Sequence, residues 1–241
     1  MKKTLLTTLV TIVTISLAFS QTEDRKGYIG ISIGGASPLG NFASVNPNND
    51  KAGYATGGGV FDVTFAYRLG KHLGLTAVLH GQSNGYDSQT VVNQIGNANP
   101  GWQSQVDSHD GWSLGGIMGG IMGSWPMSEK GNFLIEPRVM AGFLSTTSPK
   151  LRADFTDGTD SGWLQYEDDD ASVFAVMGGA GLRWNVSQKI GLLFNVDYLT
   201  TSTANYKNIE YTNSLGDSSI QTGEQKFESV NISVGVAFRL K

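Results

Sequence analysis

The feature that most constrains this 241-residue chain is the spacing of its alternating apolar stretches. Large apolar residues recur at every second position, the period of a β-strand with one buried face, over residues 28–36, 60–69, 73–82, 112–125, 133–144, 173–186, 190–200 and 230–240. The connections alternate in length: 37–58, 84–111, 145–171 and 201–227 are long and polar, whereas 70–72, 126–132 and 187–189 are short. Barrels that span a bilayer have short turns on one side and long loops on the other. The spacing therefore predicts an all-β fold, a closed eight-stranded antiparallel up-and-down transmembrane β-barrel.

The second face of these stretches distinguishes a membrane barrel from a soluble β-sandwich. A sandwich buries its bulky face in its own core and covers its outer face with Lys, Glu and Thr. Here the second face is mostly small, as in the last stretch, where Ser233, Gly235 and Ala237 alternate with Val and Ile. Small residues suit the narrow lumen of an eight-stranded barrel. The Gly- and Met-rich fourth stretch gives no readable phase.

Aromatic residues gather near the short connections and predict a girdle at one membrane interface, where an amphipathic ring is stable at headgroup level. They are Tyr67, Trp125, Phe133, Trp184 and Phe238.

The N-terminus has the pattern of an export signal. Lys2 and Lys3 precede an apolar, Thr-rich segment, and Ala18 and Ser20 supply small residues for cleavage. We predict a cleavable signal peptide at 1–20 and a barrel domain at 21–241. The alternative, a membrane anchor, is disfavoured because residues 5–19 are shorter than the roughly 20 apolar residues of a spanning helix. With no Cys and a formal net charge of −4, the chain forgoes disulfides and offers no basic patch for nucleic acid.

Six charged residues point into the predicted lumen, all toward the short-turn end. Buried charges must pair or stay hydrated because an isolated one is costly. We predict a structural ion network that closes the lumen; a selectivity ring or gate in a narrow pore is the alternative. The residues are Arg68, Glu136, Arg138, Arg183, Asp197 and Arg239.

The chain resembles the small eight-stranded outer-membrane barrels of Gram-negative bacteria, the family that includes the transmembrane domain of the major outer-membrane protein A. The resemblance covers residues 27–241. In the last strand Ser233, Gly235, Phe238 and Leu240 match the polar, glycine, aromatic and hydrophobic positions of the family's assembly signal, although Leu replaces a final aromatic residue and Lys241 follows. It implies an outer-membrane location, contact with lipid and lipopolysaccharide, and insertion by the barrel-assembly machinery. We also expect a monomer, although no sequence pattern here encodes the oligomeric state.

One stretch resembles a catalytic motif. His80-Gly81-Gln82-Ser83-Asn84 is similar to the His-x-Ser-Asn motif of outer-membrane lipid A deacylases. A Ser nucleophile needs a His within hydrogen-bond reach. A spacing of three places His80 and Ser83 on opposite faces of a regular strand, and only a bulge at Gly81 would bring them together.

The third long connection is the most acidic. Oxygen-rich clusters bind divalent cations, although acidic loops are also commonly just solvated. The residues are Asp154, Asp157, Asp160, Glu167, Asp168, Asp169 and Asp170.

The predicted function is structural, or an interaction with surfaces, partners or cations through the loops, without catalysis or a cofactor. The alternatives are a lipid A-modifying enzyme that uses His80 and Ser83, and a narrow channel or carrier for a small apolar molecule.

Overall fold

Antiparallel β-strands make up most of the described chain. The computed structural model describes residues 26–97, 103–128 and 131–240, and the predicted signal peptide at 1–20 lies outside these residues. The strands are β1 (Gly27–Pro38), β2 (Ala55–Arg68), β3 (Leu73–Tyr86), β4 (Gln103–His109), β5 (Trp112–Gly123), β6 (Trp125–Pro126), β7 (Phe133–Thr147), β8 (Leu151–Thr156), β9 (Ser161–Tyr166), β10 (Asp170–Asn185), β11 (Ile190–Asn213) and β12 (Ser218–Leu240), and the helix is α1 (Ser88–Asn97). No helix among the described residues is long and apolar enough to cross a membrane.

Eight strands form a closed ring. Their order is β1-β2-β3-β5-β7-β10-β11-β12, and β12 pairs back onto β1 from Gly27↔Leu240 to Pro38↔Ser229. Closure leaves the ring without the unpaired edge that an open sheet presents. The predicted eight-stranded antiparallel barrel is confirmed.

Side chains alternate between a buried interior and an exposed apolar belt. On β5, Leu114, Met118 and Met122 are buried inside the ring, whereas Ile117 and Ile121 face outward. The structure thus shows which residues of β5 face inward and which face outward, an alternation that could not be read from its Gly- and Met-rich sequence. The outward aliphatic and aromatic residues continue around neighbouring strands, since Ile117 pairs with Leu79 on one side and Phe143 on the other. A continuous apolar belt around a closed cylinder is the surface that hydrocarbon chains solvate.

Regular structure extends into the segments read as long loops. β11 and β12 continue to Asn213 and from Ser218, so the predicted loop 201–227 is the outer part of a hairpin. β9, β8 and β4 add to β11 in that order and build a small sheet beyond the barrel. β8 alternates apolar and polar residues over six positions only, and β4 has Val106 as its single apolar residue, so these short strands give a weak period-two signal in the sequence.

The outer half of the lumen contains an apolar cluster, which corrects the prediction of a polar interior throughout. Phe42, from the first long connection, meets Phe227 at 5.0 Å between ring centroids, and Trp112 meets Phe227 at 5.4 Å. The Trp112 indole N–H donates to the carbonyl of Gly53 at 2.8 Å. Phe42, Tyr206 and Phe227 lie in segments read as loops, and Trp112 in the stretch without a readable phase. These rings are packed together with Leu114, Met118, Met140, Leu144, Val173, Met177 and Leu199.

Candidate functional site

The inner half of the lumen contains two buried ion pairs, carried by the adjacent strands β7, β10 and β11. Arg138 donates through Nε to Asp197 Oδ1 at 2.9 Å and through Nη2 to Oδ2 at 2.5 Å. Arg183 donates through Nε and Nη2 to Glu136 Oε1 at 3.1 and 2.7 Å. All four side chains are more than nine-tenths buried. The two-pronged contact between Arg138 and Asp197 has the fork geometry that makes guanidinium–carboxylate pairs strong.

Neutral groups complete this network. The Tyr28 hydroxyl donates to Glu136 Oε2, and the Ser124 hydroxyl donates to Oε1, each at 3.1 Å. The Arg183 guanidinium carbon lies 4.9 Å from the centroid of the Tyr28 ring, a cation–π contact. At Gly179 a Cβ atom would overlap Asp197 Oδ1, so glycine leaves the space that the carboxylate occupies. The charges are thus paired and enclosed.

The structure brings together four of the six residues predicted for the lumen network. The other two are half-buried near the short-turn end. Arg68 is the last residue of β2. Arg239 donates through Nη1 to the carbonyl of Ser187 in the β10–β11 turn, at 3.4 Å.

A second polar cluster was missed by the sequence reasoning. Asp62 and His80 are directly opposite on β2 and β3, with Asp62 Oδ1 2.7 Å from His80 Nδ1. Gln82 Oε1 lies 3.4 Å from His80 Nε2 and accepts hydrogen bonds from Asn231 and Ser229 at 3.0 and 3.3 Å. The period-two alternation of its strand already places Asp62 on the small, polar face. The sequence therefore indicated that the Asp62 carboxylate points into the lumen.

The structure contradicts the His80–Ser83 pair. His80 is buried in the lumen, whereas Ser83 is exposed on the outer face of β3. β3 pairs in continuous register with β2 and β5 from Gly81 to Asn84, so no bulge shifts the phase. The hydroxyl and the imidazole therefore diverge, as the spacing of three requires in a regular strand.

Several acidic residues of the third connection pair with a lysine, a hydroxyl group or backbone N–H groups, and they do not converge on the divalent-cation site that the sequence left open as an alternative to simple solvation. Lys150 Nζ lies 2.7 Å from Glu167 Oε2 and 3.1 Å from Asp168 Oδ1. Its ammonium group holds the pKa of Glu167 below the usual range. Asp170 accepts from the Thr147 hydroxyl at 2.7 Å. Within the part of the chain that the structure describes, no group of three or more His, Cys, Asp or Glu is arranged to hold a metal ion.

The residues of the predicted assembly signal occupy both faces of β12. Ser233 and Gly235 line the lumen, Phe238 is exposed on the outer face, and Leu240 pairs with Gly27 where the ring closes. Other aromatic residues near the short turns are also exposed. Phe133 stacks on Trp184 with ring centroids 5.4 Å apart, and Trp125 stacks on His72 at 6.0 Å.

A closed ring of eight strands, filled inside and apolar outside, defines this molecule as a transmembrane β-barrel. Neither a protein-family model nor a curated protein matches the sequence. The structure is similar to a major outer membrane protein from Thermus thermophilus, at 11% identity over 89% of this chain and 99% of that chain with a TM-score of 0.47.

It is also similar to two further solved barrels. One is Ail, the attachment invasion locus protein of Yersinia pestis, with 13% identity over 89% of this chain and 99% of that chain and a TM-score of 0.42. The other is Neisserial surface protein A, with 12% identity over 89% of this chain and 97% of that chain and a TM-score of 0.42. The neighbours are thus small outer-membrane barrels, the group that the sequence resembles. At these identities the likeness concerns the fold.

Proposed function

We propose that this protein is a closed outer-membrane barrel that holds a rigid sheet at the cell surface for contact with surfaces or partners, and that it has no catalytic role. The observation that carries this proposal is the continuity of β11 and β12, which leave the ring as one hairpin and become part of the outer sheet. Because long connections face outward in bacterial outer-membrane barrels, this sheet projects from the cell.

Several contacts support a rigid connection between barrel and sheet. β9 pairs with β11 from Tyr166↔Tyr211 to Leu164↔Asn213, and the two tyrosine rings lie 5.1 Å apart. The helix α1 packs Val92 against Leu151 and Ala153 on β8. A sheet held by backbone ladders and a small core loses little conformational entropy when it binds, because its surface is preorganised.

The packing of the lumen supports this role over a channel or a carrier. Two guanidinium–carboxylate pairs occupy the inner half, and a cluster of aromatic and Met side chains occupies the outer half. The polar cluster around His80 and Gln82 fills further space beside them. An eight-stranded ring has an interior about as wide as its own side chains. Solute passage would require both layers to move.

The assembly route belongs to the same proposal. Insertion by the barrel-assembly machinery would read Ser233, Gly235, Phe238 and Leu240 at the end of β12. The exposed Phe238 and the ring-closing position of Leu240 support this, because both are presented at the seam that forms last if β12 closes the ring.

Conductance and adhesion measurements test the proposed function. Protein refolded in planar bilayers should give no stepwise current, and vesicles that carry it should adhere to immobilised Gram-negative envelope fragments. A trimmed variant, with short turns in place of 87–111 and 148–169, should fold and lose that adhesion. Discrete wild-type currents, or equal adhesion by the trimmed variant, would contradict the proposal.

A further inference from the structure

The outer sheet has one covered face and one open face. Leu151 and Ala153 of β8 pack beneath α1 on the covered face. On the open face, Gln105, Asp154 and Trp163 form a row across β4, β8 and β9, and Gln103, Thr156 and Ser161 form the next row. These six residues line a cleft of about 470 Å³. Small-molecule sites commonly occupy about 300–1,000 Å³.

The indole of Trp163 is held in place by its neighbours. The Arg152 guanidinium carbon lies 4.6 Å from the ring centroid. Arg152 is fixed in turn, because its Nε lies 3.1 Å from Asp107 Oδ2 and its Nη1 donates to Gln165 Oε1 at 3.1 Å. The backbone of Trp163 also exchanges two hydrogen bonds with Ser214, at 3.1 and 3.0 Å. The aromatic ring is therefore a preorganised platform, which lowers the entropy that binding costs.

The polar groups beside this platform match the hydroxyl groups of a sugar. A pyranose ring presents apolar C–H groups on one face, which pack on the electron-rich face of an aromatic ring, and hydroxyl groups at its edge. Gln103 and Gln105 supply both donors and acceptors, and the Asp154 carboxylate accepts from two adjacent hydroxyls.

The charge of the cleft selects among saccharides. Among the described residues that line it there is one carboxylate, Asp154, and no Lys or Arg. The Arg152 guanidinium beside Trp163 is paired with the Asp107 carboxylate, so it adds no unpaired positive charge. Asp157 and Asp160 follow in the β8–β9 turn. Sulfated or otherwise anionic glycans meet repulsion here, because like charges disfavour binding across an interface. Neutral sugars do not.

We propose that this cleft binds neutral saccharides, with Trp163 as the stacking platform and Asp154, Gln103 and Gln105 as hydroxyl partners. The proposal rests on the proposed function and names the ligand class that the outer sheet contacts. It concerns a site beyond the barrel and is independent of the lumen network.

Calorimetric titration of the full refolded protein tests this proposal, with maltose, cellobiose and diacetylchitobiose as neutral probes and a sulfated dextran oligosaccharide as the anionic one. At least one neutral disaccharide should bind in the millimolar range or below, and the sulfated probe should not. Trp163→Ala should weaken binding by about tenfold or more, as removal of an aromatic anchor does, whereas Trp163→Phe should retain most of it. Trp125→Ala, at the opposite end of the barrel, is the matched control and should bind as the wild type.

The outcomes separate the two proposals. Absence of binding by all three neutral probes, or unchanged affinity in Trp163→Ala, overturns the saccharide site. If the trimmed variant still loses adhesion in that case, the proposed function stands and its ligand is of another class. Hydrogen-exchange protection of β8 and β9 in Trp163→Phe verifies that the sheet stays folded.

Discussion

At the scale of single residues, the decisive groups are the charged side chains enclosed in the lumen. Arg138 and Asp197 form a two-pronged pair, and Glu136 receives Arg183, Tyr28 and Ser124. Taking charges out of water costs several kcal/mol per ion, and a buried pair offsets this only when its geometry is good. Removing one partner is therefore far more damaging than removing both.

Asp197→Asn tests this asymmetry. The substitution leaves the Arg138 guanidinium buried without its counter-charge, and we expect a loss of about 3–5 kcal/mol in the free energy of unfolding. Urea titration of folding into lipid vesicles measures this loss.

Two further variants complete the experiment. Asp110→Asn, on an exposed residue, should stay within about 0.5 kcal/mol of the wild type. The double variant Asp197→Asn with Arg138→Met should recover much of the lost stability, because no unpaired charge remains. Equal stability of the single variant and the wild type would show that the pair contributes nothing.

At the scale of elements, β11 departs from regularity where it leaves the barrel. The register with β12 shifts between Tyr206 and Ile209, so the N–H groups of Lys207 and Asn208 leave the ladder. The Asp169 Oδ2 atom accepts both, at 2.8 and 2.9 Å. Partial burial acts to raise the pKa of Asp169, but these backbone donors outweigh it and hold the pKa below the usual range. One carboxylate thus pairs with both backbone N–H groups that the irregularity in β11 leaves outside the ladder, and β11 is the strand that supports the outer sheet.

Acidification should loosen this part of β11. Because the folded-state pKa of Asp169 is depressed, its stabilising contribution is complete above the unfolded value of about 3.9 and disappears as the pH falls through the lower folded value. We expect the exchange protection of the Lys207 and Asn208 amides, measured by NMR, to fall over that window.

Asp169→Asn is the variant that isolates this effect. It should show weaker protection of both amides at neutral pH and no such acid transition. Asp157→Asn serves as the control, since Asp157 accepts from Thr159 and Asp160 in its own turn and should leave β11 unchanged. Identical pH profiles for wild type and Asp169→Asn would refute the assignment.

At the scale of the whole molecule, apolar residues are exposed in two different solvents. Ile117, near the middle of β5, has 63% of its surface exposed on the barrel belt. Ile220, on the outer hairpin, has 59% exposed. If both side chains faced water, a charged substitution would have the same effect on stability at the two positions. In a bilayer the first contacts hydrocarbon and the second does not.

Lysine substitutions at these matched positions test where the membrane lies. Ile117→Lys should destabilise folding into vesicles by about 2–4 kcal/mol, the cost of a basic residue at the bilayer midplane of a barrel. Ile220→Lys should change stability by no more than about 0.5 kcal/mol, as an exposed surface substitution does. Urea titration of both variants gives the comparison. A similar cost at both positions would place the belt outside the bilayer.

The ring could be predicted because its strands separate two environments. In β2 and β12 large apolar residues alternate with small or polar ones, so the period of two appears in the sequence. The same phase placed Glu136, Arg138, Arg183 and Asp197 on the inner face, where the structure has them. The phase could not be read in β5, since Gly and Met differ too little in polarity. The predicted lumen network omitted Asp62 because its partner on the neighbouring strand, His80, was not known from the sequence.

What the chain encodes locally is the strand period, the length of each connection and the side on which each residue lies. Folding adds the pairings: the Tyr28 hydroxyl reaches Glu136 across 108 positions, and Phe42 enters a lumen that its own segment does not form. The outer sheet belongs to what folding adds. Strands with water on one or both faces need no apolar stripe, and they depend on their neighbours for hydrogen bonds. Apolar and polar residues alternate along a strand because its two faces meet different environments, lipid and lumen. Residues distant in the sequence become partners only when the strands pair and the ring closes.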